Sequence, residues 1–197
     1  TESGLILIFG NNDSPANYPA NTYKFRQDST FLYFFGWQRD GLVGVIDVDN
    51  DREYFVGDEI DIDDIVWYGS VTSVGEMATR VGVARTAKMR ELQNIIDAAK
   101  SSGQEIHFLP PYRFDTKIQI MDLLGLHPAV QKEAASRKLI DAVVKLRSTK
   151  SEEEIAELER AARIGYEMHT AAMRLCSPET TEQYIGGVLD GIASSYG

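Results

Sequence analysis

The segment from Phe25 to Trp37 constrains the fold of this chain more than any other. It reads Phe-Arg-Gln-Asp-Ser-Thr-Phe-Leu-Tyr-Phe-Phe-Gly-Trp, so a polar tetrad runs directly into a block of mainly aromatic side chains that includes a glycine near its end. Aromatic residues are enriched in strands, and a continuous apolar run is typical of a strand that is buried on both faces. The aromatic block therefore predicts a buried strand.

The polar residues that precede this block lie too close to it to be ordinary loop residues. A guanidinium group can bind a carboxylate and several backbone carbonyls at the same time. We therefore expect Arg26 to hold the loop that leads into the strand, as part of a buried structural ion pair. Ligand contact by Arg26 is the alternative, because perturbed charge pairs also occur at functional sites.

The composition of the chain excludes several classes of function. The chain has 197 residues, of which 43% are hydrophobic, a formal net charge of −10 and a single cysteine, Cys176. Binding to nucleic acid or to an anionic membrane needs concentrated positive charge, which this chain lacks. One cysteine cannot form an internal disulfide, and no apolar run approaches the length of a membrane span. We therefore expect an acidic cytoplasmic protein in which Cys176 is a small buried residue.

The remaining hydrophobic pattern predicts an α/β fold, with a mixed sheet flanked by helices. Short apolar runs indicate strands, and apolar positions repeating at intervals of three and four indicate helices. A capping box at Ser73 and Glu76 starts the first of these helices, and Asp115 is expected to cap the third. Strands are predicted at residues 4–9, 42–48, 52–56 and 105–109, and helices at residues 73–81, 86–101 and 116–124.

Two features that resemble metal sites do not meet the requirements of one. Asp47, Asp49 and Asp51 have the spacing of the first ligands of an EF-hand loop, but Arg52 stands where that loop needs glycine. His107 lies in a predicted strand with no second ligand near it in the sequence. We expect a solvated hairpin turn at the aspartates and expect His107 on the polar face of its strand.

The sequence pattern changes after about residue 140. Ser151 and Glu154 have the spacing of a capping box, which predicts the start of a helix. An apolar stripe with helical spacing then continues to Leu175, and a second helix follows Pro178. We therefore divide the chain into a first domain at residues 1–140, a linker at residues 141–150, and two helices within residues 151–197.

Two segments of the chain resemble the creatinase-like "pita-bread" metallopeptidases, the family of Xaa-Pro aminopeptidases and prolidases. In that family an aromatic residue and Arg-Gln-Asp/Asn-Ser precede an aromatic segment, as Arg26, Gln27, Asp28 and Ser29 do here. The stretch from Lys150 to Ile155 is similar to the start of the family's catalytic domain. The resemblance implies a creatinase/aminopeptidase P-like N-terminal domain, followed by the first two helices of a truncated pita-bread catalytic domain.

The resemblance also implies a peptidase whose metal centre lies outside this chain. In the family two Asp, one His and two Glu hold two divalent ions, usually manganese, which activate the attacking water. All five ligands would follow residue 197, so we expect no catalytic residue, no metal ligand and no activity in this fragment alone. The full-length protein would be a homo-oligomeric Xaa-Pro aminopeptidase acting on proline-containing peptides. A prolidase and a non-catalytic creatinase-fold binding protein are the alternatives.

Trp67 is the one residue of the first domain to which the resemblance gives a functional role. It follows the acidic segment at residues 58–64, whose interleaved Ile60, Ile62 and Ile65 suggest that one side packs. From the sequence alone Trp67 belongs either to the core, which is favoured, or to an exposed recognition surface. In oligomeric members of the family a matching Trp reaches the rim of a neighbouring subunit's active site. We therefore expect Trp67 at a substrate rim.

Overall fold

The computed structural model of the chain describes residues 2–60, 65–67 and 69–197. It divides into two compact units, Thr1–Val144 and Lys145–Gly197. The segment expected to be a linker, residues 141–150, is mostly helical, because helix Arg137–Ser148 runs through it. The limits of the two domains stay a prediction.

The first unit is built on a five-stranded mixed sheet. Its strands have the spatial order β6-β5-β4-β1-β7, in which the β1–β4 and β4–β5 pairs are antiparallel and the β1–β7 and β5–β6 pairs are parallel. Strands β2 and β3 form a separate antiparallel pair. The strands are β1 Leu5–Phe9, β2 Pro15–Tyr18, β3 Asn21–Thr22, β4 Val43–Asp47, β5 Arg52–Val56, β6 Arg85–Ala87 and β7 Ile106–Phe108.

Helices cover both faces of this sheet, which confirms the predicted α/β class. Alternate residues of β1 point to opposite faces, so Ile8 belongs to one apolar cluster and Leu7 to the other. Helices α1, α2 and α6 contribute to the first cluster, and α3 and α4 contribute to the second. The helices are α1 Ser29–Phe35, α2 Val74–Arg80, α3 Leu92–Ser101, α4 Phe114–Leu124, α5 Gln131–Ala134 and α6 Arg137–Ser148.

The aromatic block forms helix α1, so the prediction of a strand was wrong. The Asp28 side chain accepts hydrogen bonds from the N–H groups of Thr30 and Phe31, which starts the helix, and Gly36 ends it with φ 67°. Phe31 and Phe35 are four residues apart, so they share one helical face, and both are buried. A block of aromatic residues is compatible with a strand or with a helix. Here the Asp28 cap favours the helix.

Two further boundaries differ from those expected. The helix predicted at residues 86–101 begins only at Leu92, because Arg85–Ala87 forms β6 beside β5. Asp115 is not the cap of α4, since the helix begins at Phe114 and Asp115 lies in its first turn. The capping box of α2 is confirmed.

The second unit is a pair of helices, α7 Glu152–Leu175 and α8 Glu182–Ser195. The predicted capping box of α7 is confirmed, with Glu154 N–H 3.3 Å from Ser151 Oγ. Neither of these two helices, both fully described, has a buried side chain. Cys176 is exposed, so its expected burial was wrong. In the described part of the chain no helix is long and apolar enough to cross a membrane.

Candidate functional site

Gln27 is the centre of the Arg-Gln-Asp-Ser motif. Its side chain is 1% exposed, and its Oε1 accepts hydrogen bonds from the backbone N–H groups of Asn11 and Asp28. Its Nε2 donates to the backbone carbonyl of Arg39. One buried carboxamide therefore joins the loop after β1, the start of α1 and the loop that leads into β4.

Gly10 provides the space that Gln27 occupies. A Cβ at Gly10 would lie 2.7 Å from the carbonyl oxygen of Leu42 and 3.1 Å from both terminal atoms of the Gln27 side chain. The N–H of Gly10 donates to that same carbonyl at 2.9 Å, which holds the two backbones together. The close approach therefore requires glycine.

Arg26 is exposed, and the buried ion pair expected for it is absent. Its side chain has no hydrogen bond or ion pair with any residue in the described ranges. The carboxylate of Asp28 is engaged elsewhere, because its Oδ1 caps α1 and its Oδ2 accepts from the Tyr112 hydroxyl at 3.2 Å. Ser29, the first residue of α1, is also exposed. Gln27 and Asp28 thus hold the local backbone in place, while ligand contact by Arg26 stays a hypothesis.

Trp67 lies on the surface, and the core position favoured by sequence alone is not observed. Its exposed fraction is 83%, and those of Val66 and Ile65 beside it are 76% and 46%. Residues 65–67 are helical, and the N–H of Gly69 donates to the Ile65 carbonyl at 2.9 Å. Neighbouring exposed apolar side chains are typical of a contact surface. The expected packing of Ile62 lies outside the described residues.

A groove with four carboxylates lies beside residues 58–60 and Val71, which stand before and after the segment that carries Trp67. It encloses about 1520 Å³ of space open to solvent, and Asp13, Asp40, Asp58 and Glu59 line it. Burial and the nearby carboxylate of Asp40 raise the pKa of Asp13, while Arg113 opposes them. Arg39 also lines the groove, but the four carboxylates outnumber it, so the net negative charge favours cationic groups. Sequence reasoning missed Asp13 and Asp40 because they come from two other loops than the adjacent Asp58 and Glu59.

Glu59 joins the two ends of the segment that carries Trp67. Its carboxylate oxygens lie 3.0 and 3.1 Å from the backbone nitrogen of Val74, the first residue of α2. Arg39 Nη2 donates to the neighbouring carbonyl of Asp58. The bonds of Glu59 keep Glu59 and Val74, on either side of the segment, adjacent, while Arg39 holds only the Asp58 side. Arg39 Nη1 is buried without a hydrogen-bond partner in the described part of the chain.

Within residues 2–60, 65–67 and 69–197, no group of three or more His, Cys, Asp and Glu could hold a metal ion. His107 is buried, with Nδ1 2.8 Å from Ser136 Oγ and Nε2 3.1 Å from the Ser3 carbonyl. The expectation that it lies on a polar face was wrong. Because the Ser3 carbonyl can only accept, Nε2 donates to it, and Nδ1 of the neutral ring accepts from the Ser136 hydroxyl. His107 therefore ties β7 to the start of the chain.

The aspartates of the β4–β5 hairpin bind protein donors. Asp47 Oδ2 accepts from the Asn50 side chain at 2.8 Å, and its Oδ1 accepts from Gln104 Nε2 at 2.7 Å. Asp49 accepts from the same Gln104 nitrogen at 2.9 Å and from the Gly4 N–H at 3.2 Å. The side chain of Gln104 thus fixes the turn against the residues that precede β7.

The fold is that of aminopeptidase P chains of known structure. Zinc-substituted Escherichia coli aminopeptidase P in complex with product superposes with a TM-score of 0.75 and 22% sequence identity, over 98% of this chain and 46% of that chain. The low-pH form of the E. coli enzyme superposes with a TM-score of 0.76 and 22% identity, over 100% of this chain and 46% of that one.

Sequence comparison assigns the chain to one family of proteins with this fold. The model of the family described as "Aminopeptidase P, N-terminal domain" matches residues 1–107, and the chain belongs to this family.

Two curated relatives are similar over most of the chain. Xaa-Pro aminopeptidase of E. coli strain K12 is 27% identical in an alignment 173 residues long, which covers 84% of this chain and 39% of that protein. Probable Xaa-Pro aminopeptidase PEPP of Leptosphaeria maculans is 22% identical over 158 residues, which are 80% of this chain and 27% of that protein. The chain therefore spans less than half the length of these relatives.

Proposed function

We propose that this chain is the N-terminal, non-catalytic part of a cytoplasmic, metal-dependent Xaa-Pro aminopeptidase. The whole protein releases the N-terminal residue from peptides that have proline in the second position. Proline has no amide N–H and a fixed φ, so peptidases that bind the substrate backbone through that donor handle it poorly and a dedicated enzyme is needed. The observation that carries the proposal is the match of residues 1–107 to the aminopeptidase P N-terminal domain.

The names of the relatives support the activity of the whole protein. Both curated relatives are named Xaa-Pro aminopeptidases, and the similarity extends past the family match into the second unit. A substrate complex is known for E. coli aminopeptidase P, whose fold this chain shares. Peptide substrates are therefore the class that we propose for the protein to which this chain belongs.

The described residues do not supply the ligands that the metal ions of the proposed enzyme would need. A dinuclear centre needs about five oxygen and nitrogen ligands around two ions roughly 4 Å apart, and the described residues include no such group. The zinc-substituted E. coli structure supports metal dependence of the relatives. We propose that two divalent ions, manganese in the first instance, bind to other parts of a longer protein, and that this chain alone has no turnover.

The first unit serves subunit assembly and shapes the access to the active site. Its support is the surface position of Trp67, which is 83% exposed beside exposed Val66 and Ile65. A large aromatic side chain loses little conformational entropy when it is buried at an interface. In a homo-oligomer Trp67 would lie at the rim of a substrate site and restrict it to short peptides.

Two other functions compete with this proposal. A prolidase shares the architecture but accepts only Xaa-Pro dipeptides, and a non-catalytic creatinase-fold protein would bind a partner without cleaving it. The names of both relatives favour the aminopeptidase.

Activity of the full-length gene product separates these functions. We would measure cleavage of Xaa-Pro dipeptides and Xaa-Pro-Yaa tripeptides by the metal-free protein and after addition of manganese. Metal-dependent cleavage of the tripeptides is the expected result. Cleavage of dipeptides alone would establish a prolidase, and a protein that cleaves neither would be a binding protein. Turnover by the 197-residue chain alone would contradict its proposed non-catalytic role.

A further inference from the structure

A crevice opens at the carboxyl ends of the parallel strands β1 and β7. After β1 the chain leads to α1, whose Phe31 belongs to the apolar cluster of Ile8 on one face of the sheet. After β7 the chain leads to α4, whose Ile120 belongs to the cluster of Leu7 on the other face. Two adjacent connections that leave to opposite faces create a topological switch point, where open α/β sheets bind their ligands.

This crevice has an apolar body and a polar end. The space between its walls is about 400 Å³, part of which is open solvent. Asn11, Asp28, Tyr112 and Thr116 form its polar part. Its apolar walls are Leu7, Ile8, Phe9, Leu109, Pro110 and Pro111. Small-molecule sites have this composition, in which a few polar groups orient a ligand against apolar walls.

The polar end contains more hydrogen-bond acceptors than donors. The Tyr112 hydroxyl lies 3.2 Å from Asp28 Oδ2 and 3.4 Å from Asn11 Oδ1, but its single proton can reach only one of them. Asn11 is 6% exposed, and its Nδ2 donates to the carbonyl of Arg26 at 2.8 Å and to the Tyr112 oxygen at 3.3 Å. With that proton on Asp28 Oδ2, Asn11 Oδ1 has no protein donor in the described part of the chain, and a buried acceptor without a donor is costly.

The polar end also carries negative charge. Burial raises the pKa of Tyr112, the Asn11 side chain opposes it, and the Asp28 carboxylate adds to the increase, so the hydroxyl stays neutral near pH 7. Arg113, the residue after Tyr112, binds Asp115 at 3.1 Å and the Asn12 carbonyl at 2.8 Å. Asp28 is thus the charge that a ligand in the crevice would meet.

We propose that this crevice binds a small primary ammonium group joined to a short apolar body. The ammonium has three N–H donors, which can bind Asn11 Oδ1 and Asp28 Oδ2, and its charge complements that of Asp28. The apolar body lies against the prolines and Leu109. Free alkylamines and the N-terminus of a peptide with an apolar first residue share this chemistry. This binding is separate from the proposed peptidase activity and does not depend on it.

The test is a titration of the ¹⁵N-labelled 197-residue chain, followed by NMR chemical shifts. The probes are isopentylamine for free amines, the dipeptide Leu-Gly for peptide N-termini, and isopentanol as the uncharged control of equal shape. Saturable shifts at Asn11, Tyr112 and Thr116 are expected with at least one ammonium probe, with isopentanol roughly tenfold weaker because it lacks the charge-assisted bond. The ammonium probe that binds shows whether the ligand is a free alkylamine or the N-terminus of a peptide. The absence of saturable shifts with both ammonium probes, or equal binding of isopentanol, would overturn the proposal.

Two variants test the role of the crevice residues. Asp28→Asn keeps an efficient helix cap and removes the charge, so affinity for the ammonium probe should fall roughly tenfold. Asp51→Asn is the matched control, because it changes net charge equally at a turn where φ is 51° and Asn is tolerated. Leu109→Phe adds bulk to the apolar wall and should abolish binding. Unchanged affinity in Asp28→Asn or in Leu109→Phe would contradict the assignment.

Discussion

The ring of Phe35 fills the space that a side chain at Gly44 would occupy. A Cβ at Gly44 would overlap three carbon atoms of that ring. Phe35 also stacks on Phe31, with ring centroids 5.3 Å apart, and meets the edge of Phe55 at 6.0 Å. Helix α1 can therefore lie close to the sheet only because the central strand β4 has no side chain at this position.

Replacement of Gly44 by alanine should destabilise the first unit strongly. The new methyl group overlaps the buried ring of Phe35, so the ring or the strand must move, at a cost of about 3 kcal/mol. Urea unfolding followed by circular dichroism measures the change. Gly75→Ala is the matched control, because Gly75 lies in α2 with no atom near its Cβ position, and alanine there should stabilise by about 0.5–1 kcal/mol.

A double variant tests the cause of that loss. Phe35→Leu removes the part of the ring that overlaps the new methyl group, so Gly44→Ala should cost much less in the Phe35→Leu background. Additive losses in the double variant would show that the contact between the two residues is not responsible.

Gln27 should matter more for stability than the arginine beside it. Gln27→Leu leaves the N–H groups of Asn11 and Asp28 and the carbonyl of Arg39 without their buried partner, which should cost about 3 kcal/mol. Arg26→Ala removes an exposed side chain and should change stability by less than about 0.5 kcal/mol. Equal losses for the two variants, measured by urea unfolding, would contradict the arrangement described for the motif.

Features encoded by neighbouring residues were predictable from the sequence. The capping boxes at Ser73 and Ser151 depend on residues three positions apart, and the structure contains both. The aromatic block was misassigned because its composition suits a strand, whereas Asp28 and the spacing of Phe31 and Phe35 determine a helix. The preference for a strand therefore came from composition, and local capping overrode it.

The candidate site depends on contacts that no local pattern encodes. The role of Gln27 follows from Gly10 and from the carbonyl of Arg39, which are 17 and 12 positions away. Arg26 was favoured instead because a guanidinium has more donors, but the burial that decides between the two is set by the tertiary structure. The surface position of Trp67 likewise cannot be predicted from composition.

The titration of Asp115 and Asp13 should affect stability with opposite signs. Burial acts to raise the pKa of Asp115, but the hydrogen bond and charge of Arg113, with the Thr116 N–H and Asn12, lower it below the ordinary 3.8. Its contribution to stability is present above pH 3.8 and is lost as the pH falls through the lowered pKa. For Asp13 the raised pKa means that stability falls as the pH rises from 3.8 through the higher value.

Two asparagine variants measure these contributions. At neutral pH, Asp115→Asn should lower the free energy of unfolding and Asp13→Asn should raise it, since one removes a favourable charge and the other an unfavourable one. Both differences from the parent chain should shrink as the pH falls, that of Asp13→Asn through the raised pKa of Asp13 and that of Asp115→Asn through the lowered pKa of Asp115. A change of the same sign in both variants at neutral pH would contradict the electrostatic description.

Trp67 should affect the whole enzyme without affecting the fold of this chain. Because its side chain is 83% exposed, Trp67→Ala should change the free energy of unfolding of the 197-residue chain by less than about 0.5 kcal/mol. In the full-length protein the same change removes the proposed rim contact, so kcat/KM for Xaa-Pro-Yaa tripeptides should fall several-fold. Val66→Ala is the matched control, since it truncates the exposed neighbour but leaves the aromatic ring. Unchanged kinetics in Trp67→Ala would remove Trp67 from the substrate site, and an equal effect of Val66→Ala would mean that the segment acts through its apolar surface and not through the indole.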